Sequence, residues 1–380
     1  MPVPALPSDA ELGARDARGA AIAFVTLGCP KNLVDSETML GDLHRAGFRI
    51  TGDPAEAALV VVNTCAFLTA SQQESIEAIL EAARYKETGR VQALVVTGCL
   101  PQRHGEAMLE EIPEIDFLLG PGTLRELPEV ARGLLTGRLA RGSSLGGLDR
   151  LEPEWEPRAL SGRRHAAYLK ISEGCNHTCA FCIIPQLRGR HRSRPIEELE
   201  AEARGLAAAG VRELTLVAQD TTSYGLDLYG AFHLHRLLER LDRIEGLRWI
   251  RLLYTYPRTW TEELIGCFGR LGRLVPYVDI PIQHTSETVL RRMRRGLGWP
   301  KTEALLRKLR AAHPEMVLRT TVISGFPGET DEDFARLLAT LRDFEFDHLG
   351  VFAYSTEDGT PAAELPGMLP ERVREARRDA

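Results

Sequence analysis

The sequence predicts an α/β protein in which a small N-terminal parallel sheet is followed by a partial (β/α)6 barrel. Short, continuous apolar runs rich in Val and Ile recur along the chain, as expected of parallel strands buried on both faces. Stretches with a helical apolar period lie between these runs, which is the alternation of βα units. Hydrophobic residues make up 44% and charged residues 26% of the chain, so a mainly disordered protein is excluded.

The 380 residues are enough for two or three domains. Residues 1–20 are polar and lack the apolar segment of a signal peptide, so we expect a flexible tail there. No apolar run is long enough to predict a transmembrane helix, and the expected compartment is the cytoplasm. The net charge of −6 argues against a protein whose main task is to coat nucleic acid.

Residues 21–137 are predicted to form the first domain. Three apolar runs in it, AIAFVTLGC, ALVVVNTC and ALVVTGC, end at Cys29, Cys65 and Cys99. The helix after the second run is predicted to begin with a capping box over Ser71-Gln-Gln-Glu74. Its apolar face should contain the residues at helical spacing, which are Ile76, Ile79, Leu80 and Ala83.

Residues 138–165 are rich in Gly, Ser, Pro and charge without a sustained period, and we predict a linker there. Residues 166–370 are predicted to form the second domain, and 371–380 the truncated start of a C-terminal connection. Six strands are predicted in this domain, over 166–172, 213–218, 248–254, 277–282, 317–323 and 348–354. Helices are predicted between them, over 196–209, 232–245, 260–271, 286–294, 302–312 and 331–343. Six such units favour a partial barrel, with a doubly wound open sheet as the alternative.

The strongest chemical signal is the cysteine motif that follows the first strand of the second domain. Cys175, Cys179 and Cys182 have three residues in the first gap and two in the second. Three thiolates on one loop can hold three irons of a cubane 4Fe–4S cluster and leave the fourth iron open. S-adenosylmethionine can chelate such an iron, and an electron from the reduced cluster can then cleave its sulfonium group to release a 5′-deoxyadenosyl radical. The motif resembles the radical SAM superfamily, with a zinc knuckle or buried core cysteines as alternatives.

The remaining cysteines suggest a second site. Cys29, Cys65 and Cys99 each end a predicted parallel strand, and such strand ends converge on one edge of an α/β sheet. Together they could hold a second cluster with one open iron, and three unrelated core cysteines are the alternative. Cys267 lies on an apolar helix face and is expected in the core.

Seven segments together resemble the methylthiotransferases, over about residues 21 to 370. They are VTLGCPKNLVDSE (25–37), NTCAF (63–67), TGCLPQR (97–103), ISEGCNHTCAFCIIPQLRGRHRSRP (171–195), DIPIQHTSETVLRRMRRG (279–296), ISGFPGET (323–330) and FAYSTEDGTPAAEL (352–365). These motifs most resemble those of the RimO family, which modifies an aspartate of ribosomal protein S-twelve in the small subunit. The MiaB branch, which modifies a tRNA adenosine, is the alternative, and a non-enzymatic iron–sulfur carrier is the alternative of another class.

The resemblance implies that Cys29, Cys65 and Cys99 bind an auxiliary 4Fe–4S cluster and that Cys175, Cys179 and Cys182 bind the radical SAM cluster. It implies S-adenosylmethionine as methyl donor and radical source, methylthiolation at the aspartate β-carbon, and electron and sulfur donors as partners. Family members usually carry a C-terminal TRAM β-barrel, and this chain ends before one could form.

Weaker candidates lie at the strand ends of the second domain, where β/α barrels place their active sites. Gln219 and Gln283 could contact S-adenosylmethionine, and Gly325 in ISGFPGET would let backbone approach the adenosyl group. Loop-capping side chains and a plain turn are the alternatives. The Arg-dense segments 188–194 and 291–296 could face cluster charge, S-adenosylmethionine or ribosomal RNA, or form a solvated surface.

Overall fold

A computed structural model of the chain describes residue 17 and residues 19–149 and 157–380. Most of the predicted tail over 1–20 and residues 150–156 of the predicted linker therefore lie outside the described residues. No described helix combines the length and the apolar composition needed to cross a membrane.

The chain divides into two compact units. The first comprises Met1–Ser161 with Gln186–Arg188, and the second comprises Gly162–Pro185 with Gly189–Ala380. A three-residue segment that follows the cysteine motif thus packs as part of the first unit. The predicted domain boundaries at 137, 165 and 370 stay predictions.

The first unit is built on a six-stranded parallel sheet with the strand order β2-β1-β3-β4-β5-β6. Its strands are β1 (Ala21–Thr26), β2 (Arg49–Thr51), β3 (Leu59–Thr64), β4 (Ala93–Gly98), β5 (Phe117–Leu119) and β6 (Gly142–Ser144). Its helices are α1 (Pro30–Arg45), α2 (Thr69–Thr88), α3 (Cys99–His104), α4 (Ala107–Glu111) and α5 (Leu127–Thr136), with 3₁₀ turns at Pro54–Glu56 and Leu124–Glu126.

The three strands predicted from apolar runs, β1, β3 and β4, are confirmed and lie side by side in this sheet. Every residue of β3 and β4 is buried, which explains why their sequences do not alternate. The short strands β2, β5 and β6 were not predicted, because three residues give no period. β6 also lies inside the segment 138–165, so part of the predicted linker is a sheet strand.

The start predicted for α2 is wrong. The helix begins at Thr69 after the extended residue Leu68, so Ser71 lies inside its first turn and does not cap it. Of the predicted apolar face, Ile79 and Ala83 are buried, whereas Ile76 and Leu80 are 39% and 46% exposed. The helix packs through small residues, and its buried stripe is narrower than the sequence period suggests.

The second unit is a six-stranded parallel sheet whose spatial order, β7-β10-β11-β12-β13-β14, is the order of the chain. Its strands are β7 (Ala166–Lys170), β10 (Glu213–Val217), β11 (Trp249–Leu252), β12 (Leu274–Asp279), β13 (Val317–Ser324) and β14 (His348–Ala353), with a separate antiparallel pair, β8 (Ser172–Glu173) and β9 (Arg192–Ser193). A doubly wound sheet would reverse direction at a switch point. The partial barrel is therefore confirmed, and the doubly wound alternative is wrong.

Six helices of this unit overlap the predicted ranges, whereas the short helices over 184–188 and 226–229 and the C-terminal helix over 371–379 lie outside them. The helices are α7 (Ile196–Ala208), α8 (Leu226–Tyr229), α9 (Leu234–Leu241), α10 (Glu262–Cys267), α11 (Glu287–Arg292), α12 (Trp299–Ala312), α13 (Asp331–Phe344) and α14 (Glu371–Asp379), while α6 (Ile184–Arg188) follows the cysteine motif, and 3₁₀ turns lie at Pro257–Thr259 and Pro361–Glu364. Cys267 is buried in α10 and its thiol donates to the Glu263 carbonyl, as expected of a core residue.

The C-terminal helix α14 is held to the loop after β13 by a buried ion pair. Arg377 Nη1 donates to Glu329 Oε1 at 2.6 Å, and the Glu329 side chain is completely buried. Glu329 Oε2 also accepts from the Gly325 amide at 2.8 Å. One carboxylate thus connects the helix to the backbone at the end of a barrel strand.

Replacing Arg377 by Met should lower the free energy of unfolding by about 3–5 kcal/mol, because it leaves the Glu329 carboxylate buried without its cation. Urea unfolding followed by circular dichroism measures the loss. The control is Arg378→Gln in the same helix, which removes an exposed charge whose ion-pair partner among the described residues is Asp379, and it should leave stability unchanged. Equal stability of the two variants would contradict a stabilising role for this pair.

Candidate functional site

The first unit brings Cys29, Cys65 and Cys99 to one edge of its sheet, as the sequence predicts. Cys29 is the N-cap residue of α1 directly after β1, Cys65 follows β3, and Cys99 opens α3 after β4. Since β1, β3 and β4 are neighbours and parallel, their carboxyl ends lie together. Cys29 and Cys65 both raise the pKa of Cys99 through their charge, which places the three thiols within electrostatic reach of one another.

Glycines make this close approach possible. Gly28 has φ +90°, and a Cβ on it would stand 2.7 Å from Cys65 Cβ. Gly98 has φ +94°, and a Cβ there would stand 2.4 Å from Asn63 Oδ1 and 2.5 Å from the Thr64 carbonyl oxygen. The left-handed backbone and the missing side chain together let the loops bearing the cysteines touch.

Polar side chains then fix the loops. Asn32 Nδ2 donates to the carbonyls of Leu27 at 3.0 Å and Thr64 at 2.9 Å, and so joins the first two cysteine loops. Ser75 Oγ accepts from the Cys65 amide at 3.1 Å and donates to the Cys65 carbonyl at 2.9 Å. The loops that carry Cys29 and Cys65 are therefore positioned by hydrogen bonds along the sheet edge.

Burial raises the pKa of the Cys65 and Cys99 thiols, and at Cys99 the Arg188 guanidinium opposes this effect. Arg188 is itself buried; its Nε donates to Cys99 Sγ at 3.4 Å and its Nη1 to Asp35 Oδ2 at 2.7 Å. The thiols are thus neutral when free, and binding of iron would have to displace their protons. The N-terminus of α1 at Cys29 adds a favourable dipole for bound negative charge.

The second unit holds Cys175, Cys179 and Cys182 on one loop between β8 and α6. The Cys175 amide donates to the Gly189 carbonyl at 3.1 Å, and the Cys182 amide donates to the Cys179 carbonyl at 3.1 Å. Burial raises the pKa of both Cys175 and Cys182 to about 12. Nearby Cys179 and Cys182 raise the pKa of Cys175 further, so this triplet is also mutually close.

Three side chains from other parts of the second unit, Asp220, Tyr256 and Arg295, contact this loop, the first two through its residue His177. The His177 amide donates to Cys175 Sγ at 3.4 Å, while its ring bonds to Asp220 at 2.6 Å and stacks on Tyr256 at 3.7 Å between centroids. The Arg295 guanidinium lies over the other residue of this stack, Tyr256, at 4.2 Å from its ring centroid. A cavity of about 280 Å³ opens beside Cys175 and is lined by His177 and Asp220 among other side chains.

Each donor set consists of three thiols, and cysteine thiolates are the usual protein ligands of 4Fe–4S clusters. In the described part of the chain, no three His, Cys, Asp or Glu side chains are arranged to share one metal ion. A zinc knuckle needs four such ligands around one ion, whereas the thiolates of a cubane cluster bind different irons and stand further apart. All six cysteines are free of disulfides, and each triplet is mutually close.

Comparison with known proteins agrees with this arrangement. Residues 21–120 match the model described as uncharacterized protein family UPF0004, and residues 169–341 match that of the radical SAM superfamily. The ribosomal protein uS12 methylthiotransferase RimO of Desulforamulus reducens is 49% identical over 357 residues, which cover 94% of this chain and 80% of that protein. RimO of Symbiobacterium thermophilum is 50% identical, over 98% of this chain and 76% of that protein.

The chain belongs to the RimO family of methylthiotransferases. It is accordingly a radical SAM enzyme that transfers methylthio groups. Two solved structures share the fold at low sequence identity. The first is the radical S-adenosylmethionine methyltransferase TsrM from Kitasatospora setae, with a TM-score of 0.63 and 18% identity; the match covers 90% of this chain and 74% of that chain. The second is the cobalamin-dependent S-adenosylmethionine radical enzyme OxsB, with a TM-score of 0.63 and 12% identity; the match covers 95% of this chain and 56% of that chain.

The residues predicted to contact S-adenosylmethionine lie at strand ends of the barrel in this RimO-family chain. Gln219 follows β10 and its side-chain amide donates to Glu173. Gln283 follows β12 in a left-handed conformation with φ +69°, and its Oε1 is buried without a hydrogen-bond partner among the described residues. Gly325 has φ +73°, but the space where its Cβ would stand is taken by the Arg374 side chain at 2.6 Å. Their contact with S-adenosylmethionine stays a prediction.

Sequence reasoning missed Asn32 and the individual roles of Arg188 and Arg295. Both arginines belong to segments that we could not separate from a solvated surface, yet both are buried beside cysteines. Their neighbours within those segments, Arg190 and Arg294, are exposed. The sequence contains no local signal that distinguishes the buried arginine from the exposed one.

Replacing Gly98 by Ala should destabilise the apo chain and reduce iron bound at Cys99, because the new Cβ meets backbone and Asn63. The matched control is Gly105→Ala at the other end of α3, where φ is +63° and nothing lies within 4 Å of the new atom. Both variants should lose about 1–3 kcal/mol to backbone strain. Gly98→Ala should lose about 1–3 kcal/mol more by overpacking. Urea unfolding measures the difference, and equal losses would show that the contact is not tight.

Proposed function

We propose that this enzyme replaces one hydrogen on the β-carbon of an aspartate in ribosomal protein uS12 by a methylthio group, using two 4Fe–4S clusters. The observation that supports this best is the presence of two separate triplets of disulfide-free thiols, one after strands β1, β3 and β4 of the first unit and one on the loop between β8 and α6 of the second. The RimO name of the relatives supports uS12 as the substrate. Electron and sulfur donors are proposed as further partners, and the cytoplasm as the compartment.

The chemistry explains why two such triplets are needed. The β-hydrogens of an aspartate are only very weakly acidic because the neighbouring carboxylate already carries a negative charge, and a radical can take one as a hydrogen atom without forming a second negative charge. S-adenosylmethionine and iron–sulfur clusters, when bound, supply the one-electron cleavage and the methylated sulfur for this replacement. Three thiolates leave one iron of each cubane without a protein ligand, which gives each cluster a position for exchange.

The residues of the chain itself hold and shelter these groups. Cys175, Cys179 and Cys182 would bind the radical SAM cluster, and Cys29, Cys65 and Cys99 the auxiliary cluster. Phe181, between two of the cysteines, packs against a buried group that includes Phe326 and Tyr354. This apolar packing excludes water beside the loop, as radical chemistry requires. Family membership makes the chain an enzyme, and the name of the relatives favours a ribosomal protein over a tRNA as its substrate.

The direct test is anaerobic incubation of the reconstituted chain with S-adenosylmethionine, dithionite, sulfide and uS12. Mass spectrometry of uS12 peptides should show one hydrogen replaced by one methylthio group at an aspartate. A parallel reaction with bulk tRNA should leave its adenosines unmodified. Methylthiolation of tRNA with none on uS12 would overturn the substrate assignment.

Replacing Cys175, Cys179 and Cys182 together by Ala should lower bound iron from about eight to about four atoms per chain, because one of two cubanes loses its ligands. The same variant should release no 5′-deoxyadenosine from S-adenosylmethionine. Iron analysis and chromatography after anaerobic reconstitution measure both quantities. A triple variant that still binds about eight irons would show that these thiols are not cluster ligands.

Replacing Cys29, Cys65 and Cys99 by Ala should also leave about four irons, but with the opposite loss of function. Release of 5′-deoxyadenosine should persist, since the radical-generating thiols lie in the other unit, while methylthiolation of uS12 should stop. Circular dichroism confirms folding of the variant. A folded variant that no longer cleaves S-adenosylmethionine would contradict the division of roles between the two triplets.

A further inference from the structure

Arg295 points a buried guanidinium at one cysteine of the radical SAM motif. Its Nη1 donates to Cys179 Sγ at 3.5 Å, and its Nη2 donates to the Pro281 carbonyl at 2.8 Å. The residue is only 7% exposed. A fixed positive charge therefore lies within hydrogen-bond distance of a thiol that the proposed function assigns to the radical SAM cluster.

The surroundings hold this charge in place without neutralising it. Tyr256 lies under the guanidinium, and its hydroxyl donates to the Arg295 carbonyl at 2.6 Å. The ring of His177, a residue of the cysteine loop, stacks on the Tyr256 ring. Within the described ranges, the partners of the guanidinium are a sulfur, a carbonyl and an aromatic face, and no carboxylate forms an ion pair with it.

The first unit offers a contrast. Arg188 donates to Cys99 Sγ in the same way, but it forms a buried ion pair with Asp35, and both side chains are 3% exposed. That arginine contributes a hydrogen bond to sulfur with its charge largely cancelled. Arg295 contributes a hydrogen bond and a full charge.

Reduction of a cluster adds one electron and no proton, so the reduced form carries one more negative charge. A neighbouring cation and an N–H donor to sulfur stabilise that form, and both raise a cluster's reduction potential. The low polarity of a buried site strengthens the effect, whereas the same charge in solvent would be screened.

We propose that Arg295 is a positioning residue that raises the reduction potential of the cluster held by Cys175, Cys179 and Cys182. The electron comes from an external low-potential reductant, and Arg295 lowers the driving force that this reductant must supply. The proposal rests on the proposed function for its assignment of the three thiols. It concerns the potential before S-adenosylmethionine binds.

The test uses the full chain with Cys29, Cys65 and Cys99 replaced by Ala, so that a single cluster is observed. Its midpoint potential is measured by anaerobic titration with dithionite and mediator dyes, followed by electron paramagnetic resonance, without S-adenosylmethionine. Arg295→Met should reduce the ratio of reduced to oxidised cluster about tenfold at a given potential, which is a shift of about 59 mV to more negative values. Arg295→Lys, which keeps the charge, should shift less.

The matched control is Arg291→Gln, which removes the same charge from an exposed position on α11, where the side chain donates a hydrogen bond to Thr288. Its potential should equal that of the parent chain.

If Arg295→Met does not retain iron, Arg295→Gln provides the same comparison. An unchanged potential in the variant lacking the charge would overturn the proposal, and an unchanged potential with weakened S-adenosylmethionine binding would assign Arg295 to that ligand instead. A parent chain that binds no iron would instead refute the assignment of the thiols.

Discussion

The partial burial of the six motif cysteines is the constraint on which the rest of the structure depends, with Cys99 and Cys179 buried and the other four half-buried. Burial raises the pKa of Cys65, Cys99, Cys175 and Cys182, so the protein must offset the added cost of the thiolates that iron requires. Each unit does so with an arginine donating to sulfur, and the first unit adds a helix N-terminus. The glycine before a cysteine and the Asn32 hydrogen bonds bring the loops close enough for these groups to act.

Much of the fold could be predicted from the sequence because most of its strands are continuous apolar runs, and β3 and β4 are buried on both faces. The runs that became β3 and β4, and the six strands of the barrel, are long enough to show an apolar pattern. β2, β5 and β6 have three residues each and depend on pairing with a neighbour, which no local pattern records. The start of α2 was misplaced because a capping sequence is only a local preference, and the helix begins three residues earlier, after Leu68.

The site residues also divide into those that the sequence predicts and those that it does not. The cysteines were predictable because their spacing, or their position after a strand, is written along the chain. Arg188, Asn32 and Arg295 were not, because their partners are far away in sequence: Arg188 lies 89 residues from Cys99, and Arg295 lies 116 residues from Cys179. An arginine-rich composition also hides a buried arginine among exposed ones. Gly325 was predicted to let backbone approach the adenosyl group, and this contact stays a prediction; its neighbour in the structure is Arg374 of the C-terminal helix α14.

Gln186–Arg188 belong to the first unit although they follow the cysteine motif of the second in the chain. The ion pair of Arg188 and Asp35 therefore lies within the first unit, although the two residues are 153 positions apart in the sequence. A hybrid enzyme assembled from two relatives by a single crossover between the units would inherit the carboxylate from one parent and the guanidinium from the other. Natural recombination meets the same restriction, so the two positions should change together over evolutionary time or not at all.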